Sequence, residues 1–158
     1  MKSLETYADS FLIMMYDLHK AAGEPGPNFP LSEGVDSDYD MKKATADFLK
    51  FTPSEKITVI FGLYGYDWTL GPQGKPLKAA TPLTLNKIKP WFLGKNCQYK
   101  NCLITRDDSS KETKITYTDD LGKNHIIWFE DEKSIEDKID FLKTQGISNF
   151  SFWANGYY

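Results

Sequence analysis

Arginine and long apolar runs are both scarce in this chain of 158 residues. Arg106 is its only arginine, and 19 basic against 22 acidic side chains give a formal net charge of -3. Phosphate clamps and base readout favour clustered Arg and Lys, so we do not expect a nucleic-acid partner. No run of about eighteen apolar residues occurs, and therefore we expect no membrane-spanning segment.

The start of the chain does not match an export signal, and cysteines are few. The first residues do not read as a signal peptide, because Glu5 and Asp9 interrupt them before the apolar run begins at Phe11. Cys97 and Cys102 are too few for a disulfide scaffold. A local bridge in an exported protein and two free thiols both remain open. With 41% hydrophobic residues, we expect residues 1–158 to form one domain.

Two continuous apolar runs, residues 11–16 and 57–64, predict strands that are buried on both faces. Between them lie a long loop over residues 18–39, rich in Gly and Pro, and an amphipathic helix over residues 40–51. One helix between two strands predicts a parallel pair.

From residue 81 onwards, the predicted elements are no longer those of a parallel sheet. Thr81 and Pro82 predict the start of a short helix that runs to Ile88. An antiparallel meander is predicted for three polar-flanked strands, residues 98–105, 114–118 and 125–129. The last segment again predicts a helix followed by a parallel strand. The amphipathic helix ends at Gly146, and the strand covers residues 147–153.

The three apolar strands carry short motifs of one family. M-M-Y-D at residues 14–17 resembles the end of the sixth strand of glycoside hydrolase family 18 barrels. G-L-Y-G-Y-D-W at 62–68 resembles the seventh strand, and F-S-F-W at 150–153 resembles the eighth. The resemblance implies an α/β fold: a partial (β/α)8 TIM barrel over residues 1–80 and 133–158, with an inserted antiparallel α+β subdomain over 81–132.

Further motifs resemble a subgroup of the family. They are P-G-P at 25–27, Y-G-Y-D-W at 64–68, and H-I-I-W-F at 125–129 followed by Ser134 and Lys138. They are similar to the spore cortex-lytic glycosidases and to family 18 domains joined to polysaccharide deacetylases and glycosyltransferases. The resemblance implies hydrolysis of an N-acetylglucosamine-containing polysaccharide, chitin-like or peptidoglycan, without a cofactor. It places the parent protein outside the cell or in the cell envelope.

One part of the family pattern is missing. The catalytic acid of the family ends the motif D-x-x-D-x-D-x-E, which this chain lacks; Asp36, Asp38 and Asp40 alternate, but Lys42 stands where the acid belongs. A complete barrel needs about 250 residues. We therefore expect the C-terminal portion of an enzyme, inactive in isolation. The alternatives are a non-catalytic chitinase-like lectin and a homo-oligomer joined through unpaired sheet edges.

The resemblance also implies the site. Family 18 enzymes use the acetamido group of the sugar as the nucleophile, and Tyr16 and Asp17 are expected to hold that group as catalytic residues. The expected substrate-binding residues are Met14, Tyr64, Tyr66, Trp68 and Trp153. Without the resemblance, Trp153 is better explained by core packing, and for Asp17 a turn cap and a site role are equally good explanations. His19 and His125 have no third ligand at metal spacing, so no metal site is expected.

Overall fold

The computed structural model describes residues 6–32, 39–94 and 97–157, so Asp36 and Asp38 lie outside the described residues. The described residues form eight strands and three α-helices. The strands are β1 (Phe11–Met15), β2 (Ile57–Gly62), β3 (Tyr64–Leu70), β4 (Thr81–Thr84), β5 (Lys100–Arg106), β6 (Thr113–Thr118), β7 (Asn124–Phe129) and β8 (Asn149–Trp153). The helices are α1 (Met41–Leu49), α2 (Leu85–Ile88) and α3 (Glu132–Thr144).

The first sheet is parallel and has the strand order β1-β2-β8. Its strands are the three apolar runs of the sequence, so the predicted parallel pair is confirmed. The central strand β2 buries Ile57, Val59 and Phe61 completely. Helix α1 lies between β1 and β2 in the chain and begins at Asp40, whose carboxylate accepts a hydrogen bond from Lys43 N at 2.8 Å.

The second sheet is antiparallel and has the strand order β4-β3-β7-β6-β5. The meander of β5, β6 and β7 is confirmed. The motif at 62–68 that resembles the seventh strand is split between β2 and β3, and the antiparallel sheet begins at Tyr64, whereas the inserted subdomain was expected from residue 81. The sequence from Tyr64 alternates large side chains with glycine, aspartate and threonine, which suits a strand paired on both sides.

The predicted helix from Thr81 is wrong in its first half. Residues Thr81–Thr84 form β4, in which Thr81 lies opposite Asp67 of β3, and α2 begins only at Leu85. Pro82 lacks an N–H group, and β4 is an edge strand, where a proline is tolerated. Pairing with β3 therefore overrides the local helix-start signal.

Cys97 and Cys102 form a disulfide bond across the turn that leads into β5, with their Cα atoms 6.2 Å apart. The sequence left this bridge and two free thiols equally open. The bond closes a short loop next to the ring of Tyr99, which stacks on Phe92 with a centroid distance of 5.4 Å.

One hydrophobic cluster joins the two sheets to the helices. Ile13 and Met15 of β1 belong to it, whereas the alternate residues Leu12 and Met14 are 64% and 63% exposed. The register places Met14, Ile60 and Ser151 side by side, and side chains in such a row point to the same face. The parallel sheet therefore has one buried face and one open face, and the prediction that its strands are buried on both faces is wrong for β1.

Gly65 lies where β3 and β7 approach each other most closely. An added Cβ would overlap the carbonyl oxygen of Trp128 and the Cβ of Phe129. We expect Gly65→Ala to lower the free energy of unfolding by about 1–3 kcal/mol, because the two strands must separate to accept the methyl group. Urea denaturation measures this effect. The control is Gly94→Ala, whose added Cβ would lie 3.4 Å from its nearest neighbour, Pro90 O; equal midpoints for the two variants would contradict the prediction.

Candidate functional site

Asp17 lies two residues beyond the carboxyl end of β1, at the start of the loop that leads to α1. Its φ is 61°, a left-handed conformation that aspartate adopts more readily than most residues. Asn28, further along the loop, holds it in place. The Asp17 N–H donates to Asn28 Oδ1 at 2.7 Å, and the Leu18 N–H donates to Asn28 O at 2.8 Å.

Two tyrosines of β3 bind the same oxygen of Asp17. Tyr64 OH donates to Asp17 Oδ1 at 2.5 Å, and Tyr66 OH donates to it at 2.7 Å. The tyrosines are two residues apart, so they share one face of their strand. No donor of the described residues reaches Asp17 Oδ2, and the hydroxyl of Tyr16 makes no hydrogen bond within them. One carboxylate oxygen and one phenol are thus left for a ligand.

Both phenols bound to Asp17 remain protonated at neutral pH. The pKa of Tyr66 is raised to about 12, mainly by burial and also by the hydrogen bond to Asp17 and the charge of that carboxylate. The same causes raise the pKa of Tyr64 by more. The two tyrosines therefore act as hydrogen-bond donors and not as bases.

Aromatic rings surround this pair. Tyr64 makes edge-to-face contacts with Tyr16, Tyr66 and Tyr157, at centroid distances of 6.1, 5.7 and 6.2 Å. Trp68 contacts Tyr66 at 5.6 Å, but it is fully buried, and its Nε1 donates to Gly23 O at 3.1 Å. Trp68 therefore supports Tyr66 from behind, and no part of its side chain faces solvent, where a sugar would meet it.

Trp153 and Met14 lie on the open face of the parallel sheet. Trp153 is 52% exposed, although the packing alternative would bury it, and Met14 is 63% exposed. Trp153 is paired with Gly62, two residues further along the strands than the row that contains Met14. A Cβ on Gly62 would lie 2.7 Å from the Tyr64 ring and 2.9 Å from Tyr16 Cβ. Only a glycine lets these two rings meet here.

A cavity of about 270 Å³ lies beside Tyr64 and Tyr66, the two tyrosines that bind Asp17. Its lining consists of Tyr64, Tyr66, Pro82, Leu83, Thr84 and Tyr157. This volume is near the lower end of ligand pockets, about 300–1,000 Å³, and suits one small ring. A larger groove, about 960 Å³, runs along α3 and includes Ile135, Ile139 and Phe152. We assign the site to the smaller cavity because Tyr64 and Tyr66, which line it, both donate hydrogen bonds to Asp17.

The sequence analysis missed three site residues: Asn28, Gly62 and Tyr157. Asn28 carried a weak signal, since it stands between Pro27 and Pro30 in a loop that those prolines restrict. Tyr157 carried none. It reaches Tyr64 because its backbone carbonyl accepts a hydrogen bond from Asn86 N at 3.3 Å, a contact between distant parts of the chain.

The family model for glycosyl hydrolases family 18 matches residues 1–157. The chain belongs to glycosyl hydrolase family 18. This family 18 chain is 28% identical over 150 residues to the cortical fragment-lytic enzyme of Bacillus anthracis, covering 94% of this chain and 31% of the relative. It is also 28% identical over 165 residues to human chitinase-3-like protein 2, covering 92% of this chain and 40% of that protein.

The crystal structure of the spore cortex-lytic enzyme SleL from Bacillus cereus has the same fold. The TM-score is 0.79 at 26% sequence identity, over 99% of this chain and 33% of that one. The expected relation to spore cortex-lytic enzymes is confirmed. The family 18 chain spans less than half the length of each of these three relatives.

Residues 6–32, 39–94 and 97–157 contain neither a candidate metal cluster nor a candidate membrane-spanning helix. No group of three or more His, Cys, Asp and Glu side chains there could hold a metal ion. In the same part of the chain, no helix is long and apolar enough to cross a membrane.

The charge of Asp17 contributes to the high pKa of Tyr66, and this can be measured. We expect Asp17→Asn to lower the pKa of Tyr66 from about 12 towards the ordinary value of about 10, because the neutral amide no longer favours the protonated phenol. The ionisation of Tyr66 is measured by NMR of isotope-labelled tyrosine rings during a titration to alkaline pH.

The matched control is Asp67→Asn. Asp67 Oδ2 accepts a hydrogen bond from Tyr117 OH at 2.8 Å, and the Asp67 charge contributes to the raised pKa of Tyr117. The control should therefore lower the pKa of Tyr117 and leave that of Tyr66 unchanged. An unchanged Tyr66 pKa in Asp17→Asn would show that the hydrogen bond is not formed in solution.

Proposed function

We propose that this chain is the C-terminal portion of a family 18 glycoside hydrolase that cleaves an N-acetylglucosamine-containing polysaccharide, chitin-like or peptidoglycan. In this proposal β1, β2 and β8 are the sixth, seventh and eighth strands of a (β/α)8 barrel, and the antiparallel sheet is an insertion between the last two. The parallel order β1-β2-β8, with the antiparallel sheet between β2 and β8 in the chain, supports it. The expected place of action is the cell envelope or the exterior.

The arrangement around Asp17 carries the proposal. In substrate-assisted hydrolysis, the acetamido oxygen attacks the anomeric carbon and replaces an enzyme nucleophile. Asp17 Oδ2 can accept the acetamido N–H while Oδ1 is held by Tyr64 and Tyr66. The Tyr16 hydroxyl can donate to the acetamido oxygen. Two tyrosine donors on one oxygen restrict the carboxylate, so it is oriented before the sugar arrives.

Sugar rings need a flat apolar surface as well as polar partners. Trp153 offers an exposed ring, and Met14 lies on the same face of the sheet. We assign Trp153 to stacking against a pyranose and Met14 to the apolar floor beside it. Tyr64 and Tyr66 line the neighbouring cavity.

The general acid is expected to come from outside this chain. The 158 residues contain no D-x-x-D-x-D-x-E motif. Glu130 is not a substitute, because it is 1% exposed and paired with Lys138. The isolated chain is therefore proposed to bind the sugar and to leave it uncleaved.

Binding by the isolated chain tests the site. We expect N-acetylglucosamine oligomers to perturb the NMR signals of Tyr16, Asp17 and Trp153. Trp153→Ala should weaken binding about tenfold through lost stacking, and Tyr16→Phe should weaken it through the lost donor. The control is Trp91→Ala, which removes another exposed tryptophan, 48% exposed, that lies in the helical segment after α2 and not on the parallel sheet. Affinity that is unchanged in Trp153→Ala and Tyr16→Phe would overturn the site.

Mass spectrometry of the same oligomers and of peptidoglycan fragments tests the missing acid. We expect no shortened products. Products would show that an acid within the chain is sufficient, and Asp17→Asn would then be the first variant to assay.

A non-catalytic carbohydrate-binding domain is the second candidate. The exposed Trp153 together with the absent acid motif favours it. The two candidates differ in the segment that precedes this one in the barrel: a glutamate at the end of D-x-x-D-x-D-x-E supports the hydrolase, and its replacement supports the lectin.

The open face of the parallel sheet also suits self-association. Strands β1 and β8 are its two edges, and Leu12, Met14 and Trp153 are exposed on one side. We expect a dimer or larger oligomer in light scattering at high concentration. Met14→Lys should shift it towards the monomer, because burying the new charge is unfavourable. Leu121→Lys, at a residue 81% exposed in the β6–β7 turn, should not; a monomeric wild-type chain would contradict the prediction.

A further inference from the structure

A buried cluster of one lysine and two glutamates lies behind the site. Lys138 of α3, Glu112 before β6 and Glu130 after β7 are each no more than 1% exposed. Lys138 Nζ donates to Glu112 Oε1 at 2.8 Å and also to Glu130 Oε1. Burial lowers the pKa of Lys138, but the two carboxylates outweigh this effect and raise it overall, so the ammonium group is retained.

The cluster is bound to the backbone of two adjacent residues, Asn28 and Phe29, in the loop after β1. Lys138 Nζ donates to Phe29 O at 2.7 Å. Glu112 accepts from Asn28 N at 2.6 Å through Oε2 and from Phe29 N at 2.8 Å through Oε1. The Asn28–Phe29 segment is therefore held by charge-assisted bonds from residues more than 80 positions away in the chain.

Asn28 connects this cluster to the candidate site. Its Oδ1 accepts from Asp17 N, and its Nδ2 donates to Tyr64 O at 3.3 Å. A continuous path of hydrogen bonds thus runs from Lys138 through Glu112 and Asn28 to Asp17. The path ends at the residue whose left-handed backbone turns its carboxylate towards Tyr64 and Tyr66.

We propose that Lys138 is a positioning residue which, with Glu112, fixes Asn28 so that Asp17 presents its carboxylate to the ligand. The proposal rests on the function proposed above for Asp17. It accounts for the Ser134 and Lys138 motif: Ser134 completes the N-terminal cap of α3 with Asp131, and Lys138 lies one turn further along the same helix. A buried ion cluster often adds little to the free energy of unfolding, because burying its charges is unfavourable. We therefore assign to this cluster a role in fixing the geometry of the loop.

Hydrogen exchange and sugar titration of Lys138→Met test the proposal. Methionine keeps the length of the side chain and removes the ammonium group. We expect the amides of Asp17 and Leu18, both bonded to Asn28, to exchange about tenfold faster, and N-acetylglucosamine oligomers to bind about tenfold more weakly. Asn28→Ala should have the same effects, and the double variant should lose little more, because both changes break one path.

Arg106→Met is the matched control. Arg106 pairs with Asp131 at 3.5 Å and Asp137 at 2.9 Å, so it also ties the second sheet to the first turns of α3 without reaching Asn28. It should lower the melting temperature, leave Asp17 exchange and sugar affinity unchanged, and add independently to Asn28→Ala. Exchange of Asp17 in Lys138→Met at the rate of the control would overturn the proposal.

Two further outcomes, an unfolded variant and a wild-type chain that binds no sugar, lead to different conclusions. If Lys138→Met does not fold, the same comparison is made with Lys138→Arg, which keeps the charge but cannot place one nitrogen against all three oxygens. Asp17 exchange at the control rate would again overturn the proposal. If the wild-type chain binds no sugar, the proposed function fails, while the exchange measurements still decide whether Lys138 positions Asp17.

Discussion

The hydrogen bonds from Tyr64 and Tyr66 to one oxygen of Asp17 connect the two sheets of the molecule. Asp17 follows a strand of the parallel sheet, and both tyrosines belong to the first strand of the antiparallel sheet. Leu63 alone separates β2 from β3, so the chain passes between the sheets within one residue. The two sheets therefore meet at the candidate site.

The polar groups behind the site explain how a loop can hold so exact a position. The segment from residue 18 to Asn28 is rich in glycine and proline and has no regular structure. Its end is bound by Glu112 and Lys138, which are buried and bring charge-assisted bonds to backbone atoms. Contacts with the antiparallel sheet and α3 thereby stabilise the loop. The hydrogen bond from Asp17 N to Asn28 Oδ1 extends this stabilisation to Asp17.

Local pattern was enough for most of the strands. The continuous apolar runs around Ile13 and Val59 predicted the first two parallel strands, although the face that carries Leu12 and Met14 is open. It was insufficient at Thr81, where pairing with β3 replaced a helix start, and at Trp68, where the motif suggested a sugar contact. The loop that covers Trp68 supplies Gly23 O, 45 residues away, and no local pattern contains such a contact.

The sequence by itself determined the family, the three parallel strands and the residues Tyr16, Asp17, Tyr64, Tyr66 and Trp153 as candidates, since each belongs to a short motif. Only the tertiary structure decided which of them meet. It brought Tyr64 and Tyr66 to Asp17, buried Trp68, left Trp153 exposed and recruited Asn28, Gly62 and Lys138. The physical reason is that hydrogen bonding and burial depend on distances between residues far apart in the chain, which pairing and packing of the sheets establish.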